Sequence, residues 1–226
     1  MKNRSSQLIM IMILAYSASV LAAEPSQLVK NLEAGKKQHL VTYGTSLTHG
    51  GAWVPQIKAI LGKKYGDKIT VTNSAQSGMW SKWGLENLEQ RVLSKNPDSV
   101  IIEWAINDAF LKYATPVEQA RKNLESMMEQ ILKKNPQCEI ILMVMSPPIN
   151  EHLERRPKID EYYQMYRDVA KERKLRLIDH HPKWKAILDK GKEAYIALVP
   201  DGIHPNAKGC EQVITPAIEA AIFGKD

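Results

Sequence analysis

The chain has 226 residues, a formal charge of +6 and 44% hydrophobic residues, which suits one domain with a full hydrophobic core. Its basic residues are scattered among acidic ones, so no stripe points to nucleic acid, and a charge of this size is a solubility feature. Two cysteines, Cys138 and Cys210, leave open one bridge or two buried thiols.

At the N-terminus Lys2 and Arg4 precede an apolar run from Leu8 to Leu21, and the small residues Ala22 and Ala23 follow. This pattern predicts a secretory signal peptide over residues 1–23, because the run is short for a spanning helix and contains Tyr16, Ser17 and Ser19. Export, to a periplasm or out of the cell, is therefore expected, with no stable membrane anchor after cleavage. Loss of Lys2 and Arg4 lowers the formal charge from +6 to +4. Residues 24–226 then form the mature domain.

Glu24 to Lys37 reads as a polar, helix-tolerant lead-in. A first strand is predicted over His39 to Tyr43 and a helix over Trp53 to Tyr65, with Ile57, Ile60 and Leu61 on one face. Lys68 to Thr72 is β-branched and reads as a second strand, followed by a loop from Asn73 to Trp80. A helix is expected over Leu85 to Lys95, ending before Asn96-Pro97.

Ser99 to Trp104 is nearly continuously apolar, the mark of a strand buried on both faces. An amphipathic helix spans Pro116 to Lys134, with proline in its first turn, and Glu139 to Met145 is a fourth buried strand. Ser146 to Pro157 is irregular and is read as a rim. The chain closes with a helix Ile159 to Arg173, a strand Leu175 to Ile178, a short helix Lys183 to Asp189, a loop Val199 to Pro205 and a helix Ala207 to Phe223. Alternation of this kind predicts an α/β fold with a parallel five-stranded sheet, helices on both faces, and ligands beyond the carboxyl ends of the strands.

Candidate chemistry falls at those ends. Ser46 follows Gly44 in the turn after the first strand and is the candidate nucleophile. It is not in a Gly-x-Ser-x-Gly elbow, since Thr48 stands where the second glycine would be, and no Walker-type phosphate loop is present. Gly78 follows the second strand, where a missing side chain lets a backbone N–H approach a ligand. Asn107 follows the third strand and offers an amide donor to an oxyanion, with Asp108 as a cap or local support.

Asp201-Gly202-Ile203-His204 lets the carboxylate accept from Nδ1 and leaves Nε2 free to take a proton from Ser46. His49, His180 and His181 compete less well, and no cluster has persuasive metal-ligand spacing.

These residues carry a resemblance. Ser46 in Gly44-Thr45-Ser46-Leu47, Gly78, Asn107 in Ala105-Ile106-Asn107-Asp108, and Asp201 with His204 match, in order, the blocks of the SGNH hydrolases, the GDSL-like esterases and lipases. The resemblance covers essentially the whole mature chain. It implies a flavodoxin-like three-layer sandwich, catalytic Ser46, Asp201 and His204, an oxyanion hole of Ser46, Gly78 and Asn107, and no cofactor or metal. Thr45 replaces the aspartate of the family's name motif. Ala105 replaces a glycine, and its methyl group is expected to narrow the pocket or alter loop geometry.

Trp80 and Trp83 are candidate substrate-binding aromatics, whereas Trp104 is assigned to the core. The expected activity is that of an exported serine ester hydrolase, foremost an O-acetylesterase acting on acetylated carbohydrate. Lipase, lysophospholipase or thioesterase action is the second reading, and noncatalytic carbohydrate binding the third.

Overall fold

The computed structural model describes residues 24–224; the signal-peptide expectation for residues 1–23 lies outside them. Five parallel strands form one sheet: β1 Gln38–Gly44, β2 Ile69–Asn73, β3 Ser99–Glu103, β4 Glu139–Val144 and β5 Arg176–Asp179. Their order is β2-β1-β3-β4-β5, the doubly wound α/β arrangement expected from the alternation of elements. Each strand lies within about a residue of its predicted place.

Burial follows position in the sheet. Every residue of β3 is buried, and β1 and β4 are nearly so, whereas the edge strands β2 and β5 are largely half-exposed. Helices Ser81–Glu86, Val117–Lys134 and Ile159–Arg173 pack together over one face. Gln27–Glu33, Trp53–Tyr65 and Thr215–Phe223 pack over the other.

Three expectations need correction. The lead-in is an integral helix, Gln27–Glu33, capped by Ser26, with Leu28, Val29 and Leu32 buried. It is fastened by Ser26 N–H to Ile222 O at 2.8 Å and by Leu28 N–H to the Glu139 carboxylate at 2.9 Å.

The helix predicted over Leu85 to Lys95 begins at Ser81 and breaks into Ser81–Glu86, Leu88–Arg91 and a 3₁₀ turn Leu93–Lys95. Its start is held by Asp108, which accepts from Ser81 N–H, and its carbonyl at Gly84 accepts from the Tyr43 hydroxyl. Tertiary partners thus take an orphan N–H of the first turn and a carbonyl that a continuous helix would pair internally.

The last helix contains a wide π turn at Cys210–Ile214. Pro216, four residues after Gln212, has no N–H to give that carbonyl, and Lys183 Nζ bonds it instead at 3.3 Å. Cys138 and Cys210 are both buried free thiols.

The carboxyl edge of the sheet is organised by tyrosines of Ile159–Arg173. Tyr163 donates to Ser146 O at 2.8 Å, Tyr162 donates to Thr115 O at 2.6 Å, and the Tyr166 hydroxyl accepts from Trp104 N–H at 2.9 Å. Each satisfies a loop backbone group that neither helix nor sheet can reach. The loops after β3 and β4 are thereby tied to this helix.

Candidate active site

Ser46 sits at the start of a one-turn helix, Ser46–His49, immediately after β1. Thr45 caps that turn through Leu47 N–H and is itself tied to β3. Its N–H and its hydroxyl donate to Glu103 Oε2 at 3.1 and 2.8 Å, and Thr48 Oγ1 adds a third bond at 3.2 Å. A Cβ on Gly44 would lie 2.4 Å from Glu103 O, so only glycine lets β1 end this close to β3.

Glu103 is fully buried, and that burial pushes its carboxyl up to about 8 despite the opposing hydrogen bonds from Thr45 and Thr48. Burial thus favours the protonated form of the acid that braces the nucleophile's turn. Thr45, where the resemblance expects aspartate, supplies the cap and two of the three bonds to it.

The loop after Ile196 brings His204 to Ser46: Oγ lies 2.8 Å from Nε2. His204 Nδ1 lies 2.6 Å from Asp201 Oδ2, while Asp201 Oδ1 accepts the His204 and Ile203 N–H groups at 2.7 and 3.0 Å. Partial burial raises the Asp201 carboxyl, but these N–H donors and the imidazole outweigh it and hold the group down at about 2. An ionised carboxylate on Nδ1 leaves Nε2 as the acceptor facing the serine. His49 instead contacts Ser77 Oγ at 2.9 Å. His180 is fully buried, and that burial lowers its pKa to about 3, so it stays neutral at ordinary pH.

Gly78 has φ +72°, which suits glycine, and its carbonyl accepts from the Tyr113 hydroxyl. Its N–H and that of Ser46 have no protein acceptor among the described residues. Asn107, in the short helix Ala105–Asp108 after β3, gives one Nδ2–H to Met79 O at 2.8 Å. Its second Nδ2–H has no protein acceptor among the described residues. Ser46, Gly78, Asn107 and His204 line one groove of about 430 Å³, with Phe110 and Tyr113 on its far wall. The residues that carry three unspent N–H donors thus line the same groove as the serine–imidazole pair, the set of groups that acyl transfer requires.

The aromatic expectations fare differently. Trp83 does not line the groove: it leans on the buried Trp104 at 6.2 Å between ring centroids and carries the Arg91 guanidinium over its face. Helix Ser81–Glu86 starts early enough to turn it toward the core. Trp80 also lies outside the groove's lining, stacked on Tyr113 at 4.6 Å, one ring removed from it. Ala105 is buried in the core cluster, so its methyl group does not narrow the groove.

Arg156, Phe110 and Tyr113 line the groove without having been singled out from sequence. Arg156 lies in the stretch read as a rim, and its consecutive arginines and prolines carry no periodic signal. Among the described residues no group of three or more His, Cys, Asp or Glu is placed to hold a metal ion.

Residues 41–212 match the model of the GDSL-like lipase/acylhydrolase family. An arylesterase of Vibrio mimicus is 26% identical over 149 residues, which span 63% of this chain and 64% of that relative's length. A lipase/acylhydrolase from Enterococcus faecalis superimposes with a TM-score of 0.69 at 26% identity, covering 83% of this chain and 96% of the other. A catalytic mutant of an acetylxylan esterase from Geobacillus stearothermophilus superimposes with a TM-score of 0.70 at 23% identity, covering 83% and 94%, a likeness of fold.

Proposed function

The chain belongs to the GDSL-like lipase/acylhydrolase family, a family of ester hydrolases, and on that premise we propose that it is a serine ester hydrolase acting on acetyl esters of carbohydrate. The observation that carries the reading is the relay from Ser46 through His204 to Asp201, at 2.8 and 2.6 Å, beside three unspent N–H donors.

Ser46 Oγ attacks the ester carbonyl while His204 Nε2 takes its proton. The carbonyl oxygen becomes an oxyanion held by Ser46 N–H, Gly78 N–H and Asn107 Nδ2–H. Collapse breaks the bond to the alcohol, which leaves with the proton from His204. Water, deprotonated by the same imidazole, then attacks the acyl-serine; collapse breaks the bond to Ser46 Oγ, which takes the proton back from His204, and acetate departs. Asp201 remains ionised and holds the imidazole in its productive tautomer.

Support for a short acyl group comes from the walls. Leu47, Ile106, Phe110 and Ile203 are the apolar lining of the groove, and Arg156 and His152 interrupt them. Polar groups among the apolar walls suit a small ester better than a long acyl chain. An aromatic rim, Tyr113 backed by Trp80, suits a sugar ring. The acetylxylan esterase of similar fold favours the same class.

Acetate release from acetylated xylan and acetylated oligosaccharides, compared with cleavage of long-chain nitrophenyl esters, tests the substrate. Preference for the long-chain esters overturns the acetyl assignment. Ser46→Ala is expected to lower kcat at least ~1,000-fold, the scale seen when one member of a catalytic unit is removed. Unchanged short-chain hydrolysis in that variant overturns the enzyme reading itself. Export belongs to the same proposal, on the strength of the basic and apolar pattern of residues 1–23. Recovery of the full-length, uncleaved chain in the cytoplasmic fraction contradicts it.

A further inference from the structure

We infer that Arg156 is a positioning residue that orients the Asn107 amide and strengthens it as an oxyanion donor; the inference rests on the proposed role of Asn107. Arg156 is 4% exposed. Its Nη2 donates to Asn107 Oδ1 at 3.1 Å, its Nε to Ile106 O at 2.7 Å and its Nη1 to His152 O at 3.3 Å. The guanidinium lies 4.5 Å from the centre of the Phe110 ring. Its neighbour Arg155 pairs with Glu151, but among the described residues no carboxylate lies within ion-pair distance of Arg156.

An arginine buried without a counter-ion is costly, and carbonyl dipoles with one aromatic face compensate only part of that cost. Burial lowers its pKa, the same penalty seen from the proton's side. The placement of the charge gives it a use. Of its three acceptors, Ile106 O and Asn107 Oδ1 belong to the segment that presents the oxyanion donor.

An amide is nearly symmetric in shape, and only its partners decide which end is oxygen. Flipped, Asn107 would set its NH₂ against the donors of Arg156 and its oxygen against Met79 O. The observed bonds hold Oδ1 on the guanidinium, and the second Nδ2–H is left for the groove. Accepting from a cation also polarises the amide toward its oxygen, which makes its N–H groups better donors. A positive charge without a partner in the resting enzyme gains one as the oxyanion forms, which is stabilisation specific to the transition state.

Because Arg156 lines the groove, direct contact with an anionic substrate is the rival role, and it predicts a change in KM. The test is therefore a mutant cycle on p-nitrophenyl acetate, a small neutral ester. Wild type, Arg156→Met, Arg156→Lys, Asn107→Ala and the two double variants are compared by kcat, KM and thermal melting. Arg156→Met is expected to lower kcat ~10- to 100-fold with KM changed less than about 3-fold, and Arg156→Lys to restore part of the loss.

In the Asn107→Ala background the same Arg156→Met change should cost less than about 3-fold, since the group it acts through is gone. Equal losses in both backgrounds, a raised KM at unchanged kcat, or no loss at all overturns the inference. Should Arg156→Met fail to fold, the Arg156→Lys cycle decides by the same criterion: a loss that vanishes with Asn107 supports it and one that persists overturns it. Ser46→Ala, assayed alongside, separates the two levels. Activity retained there sinks the serine mechanism, whereas activity lost there with independent Arg156 and Asn107 effects sinks only the role of Arg156.

Discussion

The turn that carries Ser46 and the loop that carries His204 are built in different ways. Around Ser46 the supports are buried and long-range: Gly44 pressed on β3, and Thr45 and Thr48 bonded to Glu103 from a neighbouring strand. Around His204 the supports are local and wet: Asp201, three residues away, has a side chain 50% exposed and the imidazole 46%. A nucleophile must be held in position, whereas a base must give its proton to a leaving group and take another from water. The core therefore fixes the first, and a short loop suffices for the second. Changes in the loop should alter rate at constant stability, and changes in the turn should alter stability before rate.

Between the two regions' supporting groups, the largest effect expected is that of Asp201→Asn. Its remaining oxygen can still accept the Ile203 and His204 N–H groups, but an NH₂ now faces Nδ1, so Nε2 carries the proton and cannot take one from Ser46. A fall in kcat of roughly 10³ to 10⁴-fold is expected, with only a small drop in melting temperature as the half-exposed carboxylate's charge is lost. A large melting shift would remove the contrast between the two regions.

Asn107→Ala removes one oxyanion donor and should cost roughly 10² to 10³-fold in kcat, with KM little changed. Steady-state kinetics on a short-chain ester separate it from a binding defect.

Gly44→Ala probes the other region. The added methyl meets Glu103 O at 2.4 Å, and overpacking of this kind costs about 1–3 kcal/mol. Denaturant unfolding should show that loss, and activity should fall with the folded fraction.

Glu103→Gln is the mildest change. The native carboxyl sits near 8 rather than its ordinary 4.5, so folding holds a proton that the unfolded chain releases. Its stabilising contribution is present in full below about 4.5 and is lost as pH rises toward 8. A glutamine can accept the same three donors without titrating, and melting between pH 5 and 8 should decline less steeply than in wild type. Asp108, raised by burial to about 7, keeps part of the slope. An unaltered slope would mean that Glu103 is ionised in the fold.

The same division explains what could be read in the sequence. Apolar strands and period-3.6 helices carry their own signal, so β1 to β5 and the helices Trp53–Tyr65 and Ile159–Arg173 were legible at nearly their final bounds. The Asp201-to-His204 loop was equally readable because its hydrogen bonds span three residues. Glu103 reads as the end of an apolar run, and nothing local says that three donors from the turn after β1 converge on it.

Arg156 is as silent, since its meaning lies in acceptors about fifty residues earlier in the chain. Trp83 failed for the converse reason. Proximity to Gly78 in sequence suggested the groove, but helix phase set by Ser81 and Asp108 turned the indole inward. The helix Gln27–Glu33 shows little in sequence because its three buried side chains are outnumbered by polar ones.

Covalent trapping tests the central claim most directly. An activated phosphonate ester, which mimics the tetrahedral intermediate, is incubated with the protein and the adduct is mapped by mass spectrometry of its peptides. One phosphonyl group per chain on Ser46, with hydrolysis of p-nitrophenyl acetate lost in step and no labelling of Ser46→Ala or His204→Ala, is the predicted result. Full hydrolytic activity in chains whose Ser46 is completely phosphonylated, or inactivation with the adduct on another residue, would contradict it.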